Sequence, residues 1–119
     1  MDITGMWKIA EVNAFKQDFT QAWMTVEAME TDPGVNPFQK IMSRYVFLFG
    51  EDGKYRQLLP KELDDGSCTP YDDKYVAGKV GDWKEEDGKL LLESEDDWEE
   101  AAPTETGFEI FGFFRIEKI

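Results

Sequence analysis

Histidine is absent from the sequence, and there is a single cysteine. Without histidine, the Ser-His and Cys-His catalytic pairs and the commonest metal ligand are excluded. One cysteine has no partner for a disulfide within the chain. That residue, Cys68, lies in the acidic segment 64–73, DDGSCTPYDD, where carboxylates raise the pKa of a thiol. The pattern favours an unreactive loop cysteine over a redox or nucleophilic one.

Long apolar runs are also missing from the sequence. The longest one is far shorter than the roughly 20 residues of a membrane-spanning helix, so we expect no membrane insertion. Asp2 lies where a secretory signal peptide would have a basic segment before an apolar run. These features predict a cytoplasmic protein, unless a leader has been removed.

Basic residues are scarce relative to acidic ones. The chain has 13 Lys and Arg against 26 Asp and Glu, which gives a net charge of −13. Nucleic-acid binding depends on Lys and Arg that displace counterions from phosphates, and an acidic surface opposes it. We therefore predict neither nucleic acid nor an anionic membrane as a partner.

The abundant carboxylates do not form a recognisable site. The run ESEDDWEE at residues 93–100 lacks the ligand spacing of an EF-hand, and a solvated hairpin end explains it better. No pair of acidic or tyrosine side chains has a spacing that requires acid–base catalysis. We expect no catalytic residues, no metal and no cofactor, and hence a protein that is not an enzyme.

What the sequence does contain is an aromatic-rich chain of 119 residues, enough for a single domain over 1–119. Residues 5–13 alternate as a strand, with Trp7, Ile9 and Glu11 on one face. Helical spacing then predicts an amphipathic helix over 14–30, and a strand over 22–29 is the competing interpretation. Its apolar face would form a lid from Phe15, Phe19, Trp23 and Val26. A short helical turn follows at 37–42.

From residue 43 onward the pattern predicts β-hairpins. EDGK occurs at 51–54 and 86–89, and Asp-Gly is a strong turn signal between apolar runs. A three-residue loop in the first hairpin pairs Phe49 with Tyr55, and a two-residue loop in the second groups Trp83 with Leu90 and Leu92. The last hairpin turns near residues 103–107. One face of the first hairpin then carries Tyr45, Phe47, Phe49, Tyr55, Gln57 and Leu59.

This order of elements predicts a mainly β fold. An early strand, a helical interruption and successive hairpins are typical of an antiparallel up-and-down β-barrel of about eight to ten strands with a helical lid. A β-sandwich fits less well, because the first and last strands need each other as partners.

Two short motifs resemble the calycin superfamily, which includes lipocalins and fatty-acid-binding proteins. They are Gly5-x-Trp7, which opens the first strand, and Arg115 in the last strand, GFFRIEKI. The resemblance implies that Gly5, Trp7 and Arg115 close the barrel floor, with the guanidinium lying across the indole ring. Fatty-acid-binding proteins also grip a carboxylate with an Arg-x-Tyr pair, and Glu117 stands where that tyrosine would be.

The aromatic positions allow two functions. A lipocalin-like protein would bind a small hydrophobic or amphipathic ligand inside the barrel, with Arg115 as a structural cap or a carboxylate anchor. A filled barrel would instead act through its surface, and a homodimer could cover the outer apolar stripe of Phe108, Ile110, Phe114 and Ile116. The predicted ligand-binding residues are Tyr45, Phe47, Phe49, Tyr55, Gln57, Trp83, Phe111, Phe113 and Arg115.

Overall fold

A computed structural model describes residues 3–119, which form mainly antiparallel strands. Two short helices, α1 (Val26–Thr31) and α2 (Pro37–Met42), and a 3₁₀ turn at Lys61–Leu63 interrupt them. The strands are β1 (Gly5–Phe15), β2 (Gln21–Thr25), β3 (Val46–Phe49), β4 (Lys54–Pro60), β5 (Thr69–Pro70), β6 (Tyr75–Glu86), β7 (Lys89–Ser94), β8 (Asp97–Glu100), β9 (Ala102–Pro103), β10 (Gly107–Ile110) and β11 (Phe114–Lys118).

Nine strands follow one another in the order β8-β7-β6-β4-β3-β1-β11-β10-β9. The first and last strands pair, with Trp7 opposite Lys118. β8 and β9 end the path, and the chain passes between them at Ala101, whose N–H donates to the carbonyl of Leu90 at 2.9 Å. The sheet is therefore a nearly closed antiparallel barrel, which confirms the predicted fold class.

The segment after β1 differs from the prediction of one helix over 14–30. β1 continues to Phe15 and pairs with β2, where Phe15 lies opposite Gln21. The turn between them is held by Asp18, whose carboxylate accepts hydrogen bonds from the N–H and hydroxyl of Thr20. The competing strand interpretation was nearer, because local turn chemistry at Asp18 and the ladder to β1 outweigh the helical spacing.

The predicted lid is consequently divided among different elements. Phe15 and Phe19 are 53% and 95% exposed, Trp23 is half-buried on β2, and Val26 begins α1 and packs against the core. The predicted helical turn at 37–42 is confirmed as α2. Each helix has six residues, and within residues 3–119 no helix is long and apolar enough to cross a membrane.

Both Asp-Gly hairpins have the predicted registers. Phe49 lies opposite Tyr55, with Gly53 at φ +79°, and Trp83 lies opposite Leu92. In the second turn Asp87 and Gly88 both have positive φ, as a two-residue type I′ turn requires. The same tetrapeptide therefore forms two different turns.

The last part of the chain contains a turn that the sequence analysis missed. The turn near 103–107 is confirmed, since Thr104 N–H donates to the Gly107 carbonyl at 2.9 Å. A second turn follows at Phe111 and Gly112, with φ values of +57° and +64°. It separates β10 from β11, and because Ile110 lies opposite Phe114, the even-numbered residues face the interior on both strands.

The burial of these two strands corrects the predicted outer stripe. Phe108, Ile110, Phe114 and Ile116 are each 7% exposed or less and belong to the core, so they cannot form a homodimer interface. Arg115 lies on the outside of the sheet instead. The prediction failed because it placed Arg115 inside on the resemblance to calycins, and the alternation of the whole hairpin followed from that one residue.

Aromatic rings fill the barrel. Trp7 contacts Phe49 and Phe108, with ring centroids 6.3 and 5.7 Å apart, and Phe47 contacts Phe114 at 5.7 Å. A register shift in β1 after Ile9 places Val12 inside the core. It also moves Glu11 to the outer face, opposite Arg115, so the prediction that Glu11 shares a face with Trp7 is wrong.

Candidate ligand-binding site

The predicted contact between Trp7 and Arg115 does not occur. The Trp7 Nε1–H donates to the carbonyl of Ile3 at 2.9 Å, and its ring is 6% exposed in the core. The Arg115 guanidinium lies 4.0 Å from the ring centroid of Trp23 and contacts the carboxylates of Glu11 and Glu109 at 3.4 and 3.3 Å. The terminal strands pair as expected, but the arginine is on the opposite face of β11.

The other predicted interior residues divide into core and periphery. Phe47, Phe49 and Tyr55 are 0%, 1% and 0% exposed. The five main cavities, of about 120 to 520 Å³, lie elsewhere, and none of these three residues lines them. These rings therefore act as packing, and access for a ligand has to be sought where the wall of the barrel is incomplete.

The wall is incomplete along β6, which is longer than either neighbour. β6 pairs with β4 over residues 75–82 and with β7 over residues 83–86. β5 pairs with its other edge at only two positions near its start. On the edge that faces away from β4, residues 78–82 thus have no strand partner within the described chain. We call this gap the side opening.

Tyr55 reaches across the side opening from β4 to β7. Its hydroxyl donates to the backbone carbonyl of Glu93 at 2.7 Å. The ring lies against the backbone of β6 at Gly81, where an added Cβ would be 2.6 Å from Tyr55 Cε1. Burial, followed by the nearby Glu93 carboxylate, raises the pKa of Tyr55 to about 12. The phenol therefore stays protonated at neutral pH and acts as a hydrogen-bond donor.

Lys79 on β6 and Phe111 in the turn between β10 and β11 meet Tyr55 at the side opening. The Lys79 ammonium lies 4.9 Å from the Phe111 ring centroid and 6.0 Å from that of Tyr55. The Phe111 and Tyr55 centroids are 6.4 Å apart. Within residues 3–119, Lys79 forms no ion pair. The Lys79 ammonium therefore lies over two aromatic rings at the side opening.

Phe111 holds an unusual backbone conformation. Its φ of +57° is in the left-handed region, which costs a residue with a Cβ about 1–2 kcal/mol. Asn or Gly would be the ordinary choice at the first position of this turn. Since a phenylalanine stands here, its ring contacts with Tyr55 and Lys79 must offset the strain.

The remaining predicted ligand-binding residues surround the core unevenly. Trp83 is half-buried, contacts Phe49 at 5.9 Å and donates its Nε1–H to the Gly50 carbonyl at 2.9 Å. Gln57 is half-buried opposite Phe47, and Phe113 packs edge-on against Phe114 at 4.8 Å. None of these three places a free polar group in the side opening.

Tyr45, three residues after the end of α2, lies beside Gly78 of β6. An added Cβ at Gly78 would be 3.7 Å from the Tyr45 hydroxyl. Burial raises the pKa of Tyr45, with smaller contributions from Cys68 and Asp65. Burial and Asp64 likewise raise the pKa of the Cys68 thiol, the direction expected from its acidic surroundings.

Sequence reasoning missed Lys79 and Gly81, the two residues that make the side opening distinctive. The available signal was Gly78-Lys79-Val80-Gly81, since two glycines within a strand suggest a bend or a close backbone approach. Across the described residues, no three Cys, Asp or Glu side chains are arranged to hold a metal ion.

Comparison with protein-family models, curated proteins and solved structures finds no match to this chain. The resemblance of Gly5-x-Trp7 and the last strand to the calycins therefore stays a prediction from the sequence.

Proposed function

We propose that this barrel binds a small amphipathic molecule at the side opening, in the manner of a calycin. The apolar part of the ligand would lie against the rings of Tyr55 and Phe111, and its anionic head group would pair with Lys79. The observation that carries the proposal is the Lys79 ammonium, which lies over two rings and forms no ion pair with the carboxylates of residues 3–119.

Electrostatics favours an anionic head group at this position. The chain carries 26 acidic and 13 basic residues, so a cation without an ion-pair partner is the feature of this surface that an anionic ligand would seek. A cation over an aromatic ring at an exposed site gains roughly 0.5–1 kcal/mol. A hydrogen bond to a charged group contributes about 1.5–3 kcal/mol, so exchanging the rings for a ligand carboxylate is favourable.

The strained turn provides a way to make room for the apolar part. Phe111 holds a left-handed φ, and its ring packs against Tyr55. A ligand that replaces the ring at this contact would free the turn to relax, and the release of about 1–2 kcal/mol of backbone strain would offset part of the lost packing. We therefore assign Phe111 as a displaceable plug and Tyr55 as the fixed wall behind it.

The test compares dodecanoate with dodecanol, which share an apolar chain and differ in charge. Binding is followed by tryptophan emission and by displacement of an environment-sensitive fluorophore. We expect Lys79→Gln to weaken dodecanoate binding about tenfold, since one charged hydrogen bond is lost, and to leave dodecanol binding unchanged.

Lys89→Gln is the matched control, because Lys89 is an exposed lysine at the start of β7, away from the side opening. It should bind both compounds like the unmodified protein. Failure of the unmodified protein to bind either compound, or equal losses in the two variants, would refute the proposal.

A second candidate function is a filled barrel that acts through its surface. The complete burial of Phe47 and Tyr55 favours it, as do the exposed Phe15, Phe19 and Phe38. Under this alternative neither compound binds, and replacing the exposed phenylalanines by alanine abolishes partner binding with little change in the free energy of unfolding.

A further inference from the structure

A groove separate from the side opening runs between α2 and residues 60–68. It consists of a cavity of about 450 Å³ and a smaller recess of about 120 Å³, which share Ile41 and Leu63 in their walls. Tyr45 and Leu59 line the recess. Neither cavity is lined by Lys79, Tyr55 or Phe111, which form the proposed ligand site, and Tyr45 is a wall residue of the recess that also adjoins Gly78.

The walls of the groove are apolar and exposed. Phe38 is 70% exposed, and Ile41 and Leu63 are each 37% exposed. Phe38 and Ile41 are three residues apart on α2 and so share one helix face. The helix is anchored through Gln39, whose side chain hydrogen-bonds the backbone of Phe15, and this leaves the Phe38 face uncovered.

One rim of the groove is acidic. Glu62 lines the larger cavity, and Asp64 and Asp65 line the recess. Each aspartate is held by a backbone N–H, from Cys68 at 3.3 Å and Ser67 at 3.0 Å respectively. Within residues 3–119 these three carboxylates form no ion pair. The two aspartates are held in position, and all three carboxylates remain available to a cation.

The opposite rim adds little positive charge to balance them. Arg44 is paired with Glu30, which leaves Lys40 as the cation facing three carboxylates among the residues lining the two cavities. The groove therefore combines an apolar floor with a net negative edge. A second copy of this chain, also at −13, is disfavoured by charge repulsion.

We propose that this groove docks an amphipathic segment of another protein, with one apolar side chain in the recess and Lys or Arg residues along the acidic rim. The recess is smaller than the 300–1,000 Å³ or so of a typical small-molecule pocket. It suits a single side chain that projects from a segment lying in the adjoining groove. Charge complementarity then selects a basic segment over an acidic one.

The experiment uses two labelled helical peptides with the same leucine face, one with lysine and one with glutamate at every polar position. Fluorescence anisotropy with the full chain should show binding of the lysine peptide, weakening as salt increases, and no binding of the glutamate peptide. Phe38→Ala should weaken binding about tenfold. Phe19→Ala is the control, because Phe19 is 95% exposed and lines neither cavity.

A charge-matched pair of triple variants separates docking from general attraction. Glu62→Gln/Asp64→Asn/Asp65→Asn removes the acidic rim, and Glu51→Gln/Glu95→Gln/Glu105→Gln removes three exposed carboxylates elsewhere. The first should weaken binding several-fold more than the second.

Three outcomes would overturn the proposal: equal losses in both triple variants, an unchanged affinity in Phe38→Ala, or a dimer in solution that Phe38→Ala dissociates. Circular dichroism of every variant excludes unfolding as the cause of a loss. Because none of these residues contacts the side opening, failure here leaves the dodecanoate result unaffected.

Discussion

Arg115 shows how the role of one residue depends on the face of its strand. The cation–ring contact expected from the sequence exists, but the ring belongs to Trp23 on the outer surface rather than to Trp7 in the core. On that surface the guanidinium also has two carboxylate neighbours, Glu11 and Glu109. The carboxylates balance its charge on the surface, where water also solvates it. A buried arginine at the barrel floor would have needed an anionic partner inside the core.

A double-mutant cycle measures this contact. We expect Arg115→Met and Trp23→Leu to be coupled by about 0.5–1 kcal/mol in the free energy of unfolding, the range for a cation–π pair at a partly exposed site. Urea denaturation of the four proteins gives the coupling.

Lys8 provides the control cycle for that measurement. It pairs with Glu117 at 3.2 Å, and among residues 3–119 it takes part in no cation–π contact. Lys8→Met with Trp23→Leu should show no coupling. If the Arg115 cycle is equally additive, the contact with Trp23 contributes nothing to stability.

Among the elements, the C-terminal end of β1 is held by a side chain that makes the two hydrogen bonds a neighbouring strand would make. The amide of Gln39 accepts the Phe15 N–H at 2.8 Å and donates to the Phe15 carbonyl at 2.9 Å. Gln39 is itself 6% exposed, and its backbone N–H is capped by Asn36. These bonds attach α2 to the barrel and satisfy both backbone groups of Phe15.

Replacing Gln39 by leucine should therefore cost about 2 kcal/mol in the free energy of unfolding, since two hydrogen bonds are lost and two backbone groups lose their partner. The Phe15 amide should also exchange with solvent faster. Gln21→Leu, at an exposed position of β2, is the control and should have little effect. Equal stability of the Gln39 and Gln21 variants would show that the helix is held by other contacts.

For the molecule as a whole, the barrel is closed in two different ways. β1 and β11 close it by backbone pairing, whereas Tyr55 bridges the side opening by a side chain. The bridge depends on a neutral phenol in a buried position. Closure at this point is therefore sensitive to pH, while closure by the backbone ladder is not.

The sign of that pH dependence follows from the pKa of Tyr55. The folded protein raises it from an ordinary value of 10.0 to about 12, so the folded state holds the phenolic proton more tightly than the unfolded state. The contribution is fully present below pH 10 and is lost as the pH rises through 12. Tyr55→Phe should lose about 1 kcal/mol at neutral pH but show a shallower decline of stability above pH 10.

Tyr71→Phe is the control for this titration, because Tyr71 is 44% exposed. It should keep the steeper decline of the unmodified protein, measured as the midpoint of urea denaturation at each pH. Identical slopes for Tyr55→Phe and the unmodified protein would mean that the phenol has the same pKa in the folded and the unfolded state.

The sequence by itself determined the features that depend on short-range chemistry. The two Asp-Gly turns set the registers of their hairpins, because a glycine that accepts positive φ acts within four residues. The alternation of aromatic residues over 45–49 placed Phe47 and Phe49 in the core. The position of α2 also depends on neighbouring residues alone, because Asn36 caps its N-terminus and Pro37 is its first residue.

Only the tertiary structure decided the faces and gaps that depend on distant partners. Phe111 carries no local signal for its positive φ, and its ring packs against Tyr55, far away in the sequence. Arg115 lies on the surface because its strand pairs it with Glu11 and Glu109, while the core residues Phe114 and Ile116 on either side of it face the interior. The side opening likewise arises from the unequal lengths of β6 and its neighbours, which no single segment of sequence specifies.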